Sequence, residues 1–267
     1  MKLQSMIDEL EKEGYLKQDA IAKTAQDVIL KAISESSFSE KVTIKGGIVM
    51  RNISGNSRRT TQDIDLDFMR YSISENNIDS FIEKINKVPD IKIERIGSIT
   101  ELNQQDYQGK SVRIKITDKE GTFIESKIDI GVHKHLDIDQ EKFCFDIYRE
   151  KKGVSLFANS LEQIFTEKIC SLLRFGRFNT RYKDIFDIYY CCDKVDNKKI
   201  MECFNVYIFR NKNMKEKSIV EVIRRLENTF KNKQYTESVD KSDKRWLDTE
   251  IDEVLETIIN YLKNLMD

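Results

Sequence analysis

From Asp63 to Phe68 acidic and apolar residues alternate strictly, and a period of two predicts a strand. Asp63, Asp65 and Asp67 fall on one face of it, and Ile64, Leu66 and Phe68 on the other. Upstream, residues 17–36 follow a helical period with Ile21, Ala25, Ile29 and Ala32 on one stripe. A short strand over Val42 to Lys45 runs into Gly46-Gly47. A helical turn follows, and a polar loop from Asn52 to Arg58 leads to the acidic strand. Residues 74–87 read as a helix. After Pro89, the chain's one proline, β-branched residues predict strands over 91–99, 111–117 and 122–132. Asp118-Lys119-Glu120-Gly121 is the hairpin turn between the last two, and residues 143–148 and 154–158 add further strands.

Beyond Ser160 the period becomes helical. Ser160 and Gln163 are spaced as a capping box for a helix over 161–175. Further helices are predicted over 182–192, 217–230 and 248–265. The change near residue 158 divides the chain into an α/β part, residues 1–158, and a helical part, residues 159–267.

Composition narrows the class. The chain has 267 residues, 34% charged and 39% hydrophobic, which suits a highly charged soluble protein with a sizeable core. No apolar run approaches the roughly 20 residues that span a bilayer, and residues 1–14 lack the apolar core of a signal peptide. Five cysteines without C-x-x-C spacing argue for free thiols and a reducing cytoplasm. His133-x-His135 has no third ligand at an obvious spacing, so it reads as a solvent-facing loop rather than a zinc site.

The net charge of −1 does not announce a nucleic-acid partner, so any such contact has to be local. Residues 205–233 hold eight Lys/Arg against three Asp/Glu, and residues 234–256 hold eight Asp/Glu against three Lys/Arg. The basic stretch could meet an RNA backbone, against the bland alternative of a solvated face. Trp246 and Tyr235, between the two blocks, read as core anchors.

The chemistry concentrates around the acidic strand. Three carboxylates on one strand face repel each other, and a divalent cation relieves that repulsion. Hard oxygen ligands at this spacing suit Mg²⁺ or Mn²⁺, the ions of phosphoryl and nucleotidyl transfer. Gly46 and Gly47 before a helix let backbone N–H groups approach a phosphate. Arg58, Arg59, Thr60 and Thr61 add cations and hydroxyls suited to a triphosphate. Asp129, alternating with Ile128 and Ile130, is a candidate third metal ligand or general base from a neighbouring strand. The alternative for Asp129 is a surface pair with Lys127. Lys168 lies between core positions of its helix, where either an anion such as a triphosphate or a structural bridge to Asp184 would stabilise it.

Four pieces occur in order over residues 45–190. They are Lys45-Gly46-Gly47, Arg59-x-Thr61-x-Asp63-Ile64-Asp65-Leu66, Glu167-Lys168, and Arg181-x-Lys183-Asp184-x-x-Asp187-Ile188-Tyr189. Together they resemble the AbiEii/AbiGii toxin family of the nucleotidyltransferase superfamily. The resemblance implies an α+β fold: a polymerase-β-like core, a mixed sheet with flanking helices, followed by an all-helical C-terminal domain. It implies transfer of a nucleoside monophosphate from an NTP, with Mg²⁺ or Mn²⁺. Members are toxins of toxin–antitoxin pairs linked to abortive phage infection, and some modify the acceptor end of tRNA. An RNA acceptor and a cognate antitoxin are therefore the expected partners.

By position, Asp63 and Asp65 would bind metal, with Asp129 as the third candidate ligand. Gly46 and Gly47 would hold phosphates, Lys168 would contact the triphosphate, and Asp184 would complete the site. Arg59, Thr61, Arg181 and Lys183 join the nucleotide-binding set. The second glycine stands where the wider superfamily often has serine, which removes one hydroxyl contact. The same site logic would serve a small-molecule nucleotidyltransferase of the antibiotic-modifying kind, or a binder of NTP without turnover.

Overall fold

The computed structural model describes residues 2–104, 107–135, 137–148 and 150–266. By internal contacts the chain divides into two compact units, residues 1–159 and 160–267.

In the first unit the acidic strand, β2 (Ile64–Phe68), lies near the middle of a mixed seven-stranded sheet. The other strands are β1 (Val42–Ile44), β3 (Ile91–Gln104), β4 (Tyr107–Asp118), β5 (Phe123–Val132), β6 (Glu141–Phe145) and β7 (Val154–Ala158), in the order β3-β4-β5-β2-β1-β7-β6. β2 runs parallel to β5 and antiparallel to β1, and β1 runs parallel to β7. The remaining neighbours are antiparallel.

The alternation read from the sequence sets the two faces. Ile64, Leu66 and Phe68 of β2 are buried with Ile128 and Ile130 of β5 and Val112, Ile114 and Ile116 of β4. Helices α2 (Lys17–Ser34) and α4 (Glu75–Ile85) pack on the sheet. The Phe68 ring lies 5.3 Å from that of Phe81 in α4 and 5.8 Å from that of Phe38, in tilted and edge-on geometries that interlock the layers. Ser74 caps α4 by accepting a hydrogen bond from Asn77 N.

Several boundaries differ from the sequence expectation. Residues 3–12 form a helix, α1, whose Leu3, Met6, Ile7 and Leu10 are buried. Its first free amide, Leu3 N, donates to Asp118 Oδ2 at 2.9 Å. The stretch expected as a polar loop from Asn52 begins later, because α3 (Gly46–Ser54) continues to Ser54. β3 and β4 extend past the expected 91–99 and 111–117, since ladder pairing carries polar residues such as Thr100 and Glu101 along with the β-branched ones. The strand expected over 143–148 is displaced to Glu141–Phe145, in register with β7.

The second unit is helical: α5 (Leu161–Phe175), α6 (Lys183–Cys191), α7 (Asn197–Phe204), α8 (Ile219–Phe230), α9 (Lys233–Asp240) and α10 (Ile251–Asn264), with a short 3-10 turn at Gly176–Phe178. The capping box forms as its spacing predicts: Gln163 N donates to Ser160 Oγ at 3.2 Å, and Ser160 N donates to Gln163 Oε1 at 2.9 Å. Trp246 and Tyr235 are buried, as expected of core anchors. No helix among the described residues is long and apolar enough to cross a membrane.

Candidate active site

The polar face of the sheet gathers groups from three strands. Asp65 of β2 is in direct register with Asp129 of β5, and one pleat earlier Asp63 stands at the level of Lys127. The Lys127 ammonium lies 3.1 Å from Asp63 Oδ2 and 3.2 Å from Asp129 Oδ2. Burial pulls the Lys127 pKa down, but hydrogen bonds and charges from Asp63 and Asp129 outweigh it, and the net shift is upward. Lys127 therefore stays cationic. On β4, in register with Asp129, Ser111 Oγ donates to Asp129 Oδ1 at 2.6 Å. One carboxylate oxygen of Asp129 is thus held by a hydroxyl and the other by an ammonium.

The pair with Lys127 that the sequence offered as the plain reading of Asp129 is present. So is the placement beside the acidic strand that the chemical reading required.

Gly46 and Gly47 close one side of this face. Gly46 has φ +59°, a left-handed conformation that glycine adopts without strain. A Cβ there would lie 3.0 Å from Asp65 Oδ2. A Cβ on Gly47 would sit 2.6 Å from both Cβ and Oγ1 of Thr61, closer than side chains pack. The glycine pair is therefore fitted against two of the predicted site residues, Asp65 and Thr61. Thr61 is anchored from behind, where Gln26 of α2 donates through Nε2 to Thr61 O at 2.9 Å. The buried Arg51 of α3 donates in turn to Gln26 Oε1. Arg59 is buried and donates through Nη1 to Thr60 O at 2.9 Å.

Asp67, third in the acidic run, serves differently. It is buried, its Oδ2 pairs with Lys45 Nζ at 3.0 Å, and its Oδ1 has no hydrogen-bond partner. His133 is also buried, with Nε2 3.1 Å from His135 O, so the expectation of a solvent-facing histidine pair does not hold for it. The cause is ladder continuation: His133 N bonds to Phe68 O and draws the residue in behind β5.

Among the described residues no group of three His, Cys, Asp or Glu side chains converges closely enough to hold a metal ion as it stands. The donor chemistry nevertheless fits a divalent cation. Asp63, Asp65 and Asp129 offer hard oxygens from two adjacent strands, and Lys127 offsets only part of their combined charge.

In the helical unit, Lys168 is buried between Asp184 Oδ1 at 2.6 Å and Asp187 Oδ2 at 2.7 Å. Arg181 Nε lies 3.4 Å from Asp184 Oδ2, and Trp246 Nε1 donates to Asp187 Oδ1 at 3.1 Å. The interhelical bridge weighed from the sequence is therefore formed, with Asp187 as a second carboxylate partner. Charge balance and spacing did not reveal the supporting roles of Gln26, Arg51 and Ser111. For Gln26 the available signal was a polar side chain beside the apolar stripe of its predicted helix; Ser111 lies on the polar face of its strand and gave none.

The family described as Nucleotidyl transferase AbiEii toxin, Type IV TA system, matches residues 28–257. No curated protein is similar enough in sequence to match the chain. Among solved structures, the chain is similar to an antigenic nucleotidyltransferase-like protein from Paracoccidioides brasiliensis, at 17% identity and a TM-score of 0.47, over 82% of this chain and 91% of that one. That likeness is too distant to bear on function.

Proposed function

Since the chain belongs to the AbiEii nucleotidyl transferase toxin family of type IV toxin–antitoxin systems, we propose that the acidic sheet face carries the transfer and that its acceptor is a hydroxyl of RNA, with the 3′ end of tRNA as the first candidate. The observation that carries the reading is the register of Asp65 beside Asp129, with Gly46 fitted against Asp65 Oδ2.

In the reaction, the acceptor oxygen attacks the α-phosphorus of an NTP. A new P–O bond forms, the bond to the bridging oxygen breaks in line, and pyrophosphate leaves. The hydroxyl proton goes to a carboxylate, for which Asp129 is our candidate. Ser111 fixes its orientation by donating to Oδ1. The backbone at Gly46-Gly47, at the start of α3, approaches the polyphosphate without a side chain in the way. Thr61, with Arg59 beside it, lines the approach and is held by Gln26. A Mg²⁺ or Mn²⁺ ion held by Asp63, Asp65 and Asp129 would supply neutralisation of the phosphate charge.

For the helical unit the proposal rests on the family motif alone. Arg181 and Lys183 are assigned to the nucleotide, and Lys168 with Asp184 primarily to the buried bridge that sets α5 against α6. The basic stretch over residues 205–233 supports a polynucleotide acceptor. A cognate antitoxin follows from the type IV system, and a reducing cytoplasm suits the free cysteines.

The test supplies purified protein with Mg²⁺, each α-labelled NTP in turn, and total cellular RNA. Label in a tRNA-sized band supports the reading and names the base. Label only in a small-molecule acceptor overturns the RNA assignment.

A further inference from the structure

Between α5 and α6 the chain reads Arg174-Phe175-Gly176-Arg177-Phe178-Asn179-Thr180-Arg181-Tyr182-Lys183, with four cations and no carboxylate. Phe178 is 73% exposed and Phe175 is 52% exposed. Two exposed aromatic rings three residues apart in a structured turn call for an explanation, because burying them would be favourable.

The turn is held in place from within. Asn179 is buried, its N–H donates to Gly176 O at 3.0 Å, and its Nδ2 donates to Ser171 Oγ at 3.0 Å. Arg181 N donates to Asn179 Oδ1 at 2.7 Å. On the far side Arg225 of α8 donates through Nε to Leu173 O at 3.4 Å, which adds another guanidinium beside the turn. The nearest acidic residues of α8 are committed: Glu227 pairs with Lys263 at 2.9 Å, and Glu221 accepts from Lys217 N at 2.6 Å. The Arg177 guanidinium already lies over the Phe178 ring at 4.9 Å from its centroid.

We infer that this turn is a stacking platform for an unpaired polynucleotide strand, with Phe178 and Phe175 taking base faces and Arg174, Arg177 and Arg225 taking phosphates. Aromatic faces set in a basic, acid-free run match a polyanion whose bases are splayed. In a duplex the base faces are stacked away and only edges and phosphates are offered. An acidic protein partner would use the charges but has less need of two protruding rings.

The inference rests on the reading of the acceptor as a polynucleotide. It is tested without NTP, so that the two can fail separately. The probe is a short fluorescein-labelled oligouridylate, titrated with wild type and variants by fluorescence anisotropy over a salt series. Phe178→Ala should weaken binding about tenfold. Arg177→Ala should weaken it too and lower the salt slope by about one. Phe123→Ala is the control, since Phe123 is 53% exposed and carries Lys115 over its ring at 4.1 Å but lies in the sheet unit; it should bind as wild type does.

Melting curves establish that each variant is folded, and Arg177→Ala serves if Phe178→Ala is not. No binding by wild type overturns the inference, as does equal binding by all variants. A duplex of the same length that binds as tightly and with no dependence on Phe178 also overturns it. Loss of a bound acidic protein from the variants, with RNA binding unchanged, would assign the turn to protein docking instead. Phe178-dependent binding without nucleotide transfer to any RNA would uphold the platform and sink the acceptor reading.

Discussion

Asp65 of β2 stands directly beside Asp129 of β5 in a parallel register, and Lys127 bridges Asp129 to Asp63 one pleat away. Register is what brings this about. A slip of one residue, in which the acidic positions met apolar ones, would have sent one set of carboxylates into the core. Three carboxylates and one ammonium lie on one half-exposed face, and the proposed reading adds a divalent cation to them.

On that reading Lys127 competes with the cation as well as neutralising the carboxylates. Lys127→Met should change stability by no more than about 1 kcal/mol, because its ion pairs are partly solvated. It should also enlarge the rise in melting temperature on adding Mg²⁺, since Asp63 and Asp129 lose their ammonium. Thermal scans with and without Mg²⁺ read both effects. A smaller rise than in wild type would count against metal binding on this face.

Gly47 has no room for a side chain against Thr61. Gly47→Ala should destabilise by about 1–3 kcal/mol, the usual cost of overpacking. Adding Thr61→Gly should recover most of that loss, because the clashing Cβ is gone. Urea titrations of the single and double variants check the coupling, and independent, additive losses would contradict it.

How much of this was legible beforehand depends on the kind of signal. The alternation over residues 63–68 gave both faces of β2 because one face is buried and the other carries charge. The capping box at Ser160 was readable because both partners are local. The pairing of β2 with β5 joins residues some sixty positions apart, so Asp129 could be nominated but not placed. Helix α1 went unpredicted, although Leu3, Met6, Ile7 and Leu10 carry a helical period, because residues 1–14 were weighed only against a signal peptide. Helices α7 and α9 are eight residues each, too short for periodicity alone to establish. Gln26 and Arg51 act from behind the site, and nothing local in the sequence ties α2 to the loop at Thr61.

Lys168 holds two buried carboxylates on α6. Lys168→Met would leave Asp184 and Asp187 facing each other without their shared cation, at a cost of about 3–5 kcal/mol. Arg181→Ala, which removes a largely exposed partner of Asp184, should cost less than about 1 kcal/mol. Denaturant unfolding separates the two. Similar small losses would show that the buried bridge is not what joins these helices.

His135 has its pKa held below 6.5, first by burial and then by the charges of His133, Lys134 and Lys45, with Asp137 opposing. Above pH 6.5 both folded and unfolded forms are neutral at this ring, and it does not affect stability. As the pH falls below 6.5 the unfolded chain takes up a proton that the folded state resists, so stability is lost on acidification. His135→Asn should flatten the fall in melting temperature between neutral pH and about pH 5. An unchanged profile would place the acid sensitivity elsewhere.

The most direct test compares Asp65→Asn and Asp129→Asn with wild type for release of pyrophosphate coupled to labelling of RNA, alongside melting curves. The account predicts losses on the order of 100-fold or more for each variant. The melting temperature of Asp65→Asn should be equal to or above wild type, because removing one of two adjacent like charges relieves repulsion. Asp129→Asn, which also gives up its pairing with Lys127, should lose no more than about 1 kcal/mol. Transfer at the wild-type rate by folded Asp65→Asn protein would contradict the assignment of catalysis to this sheet face.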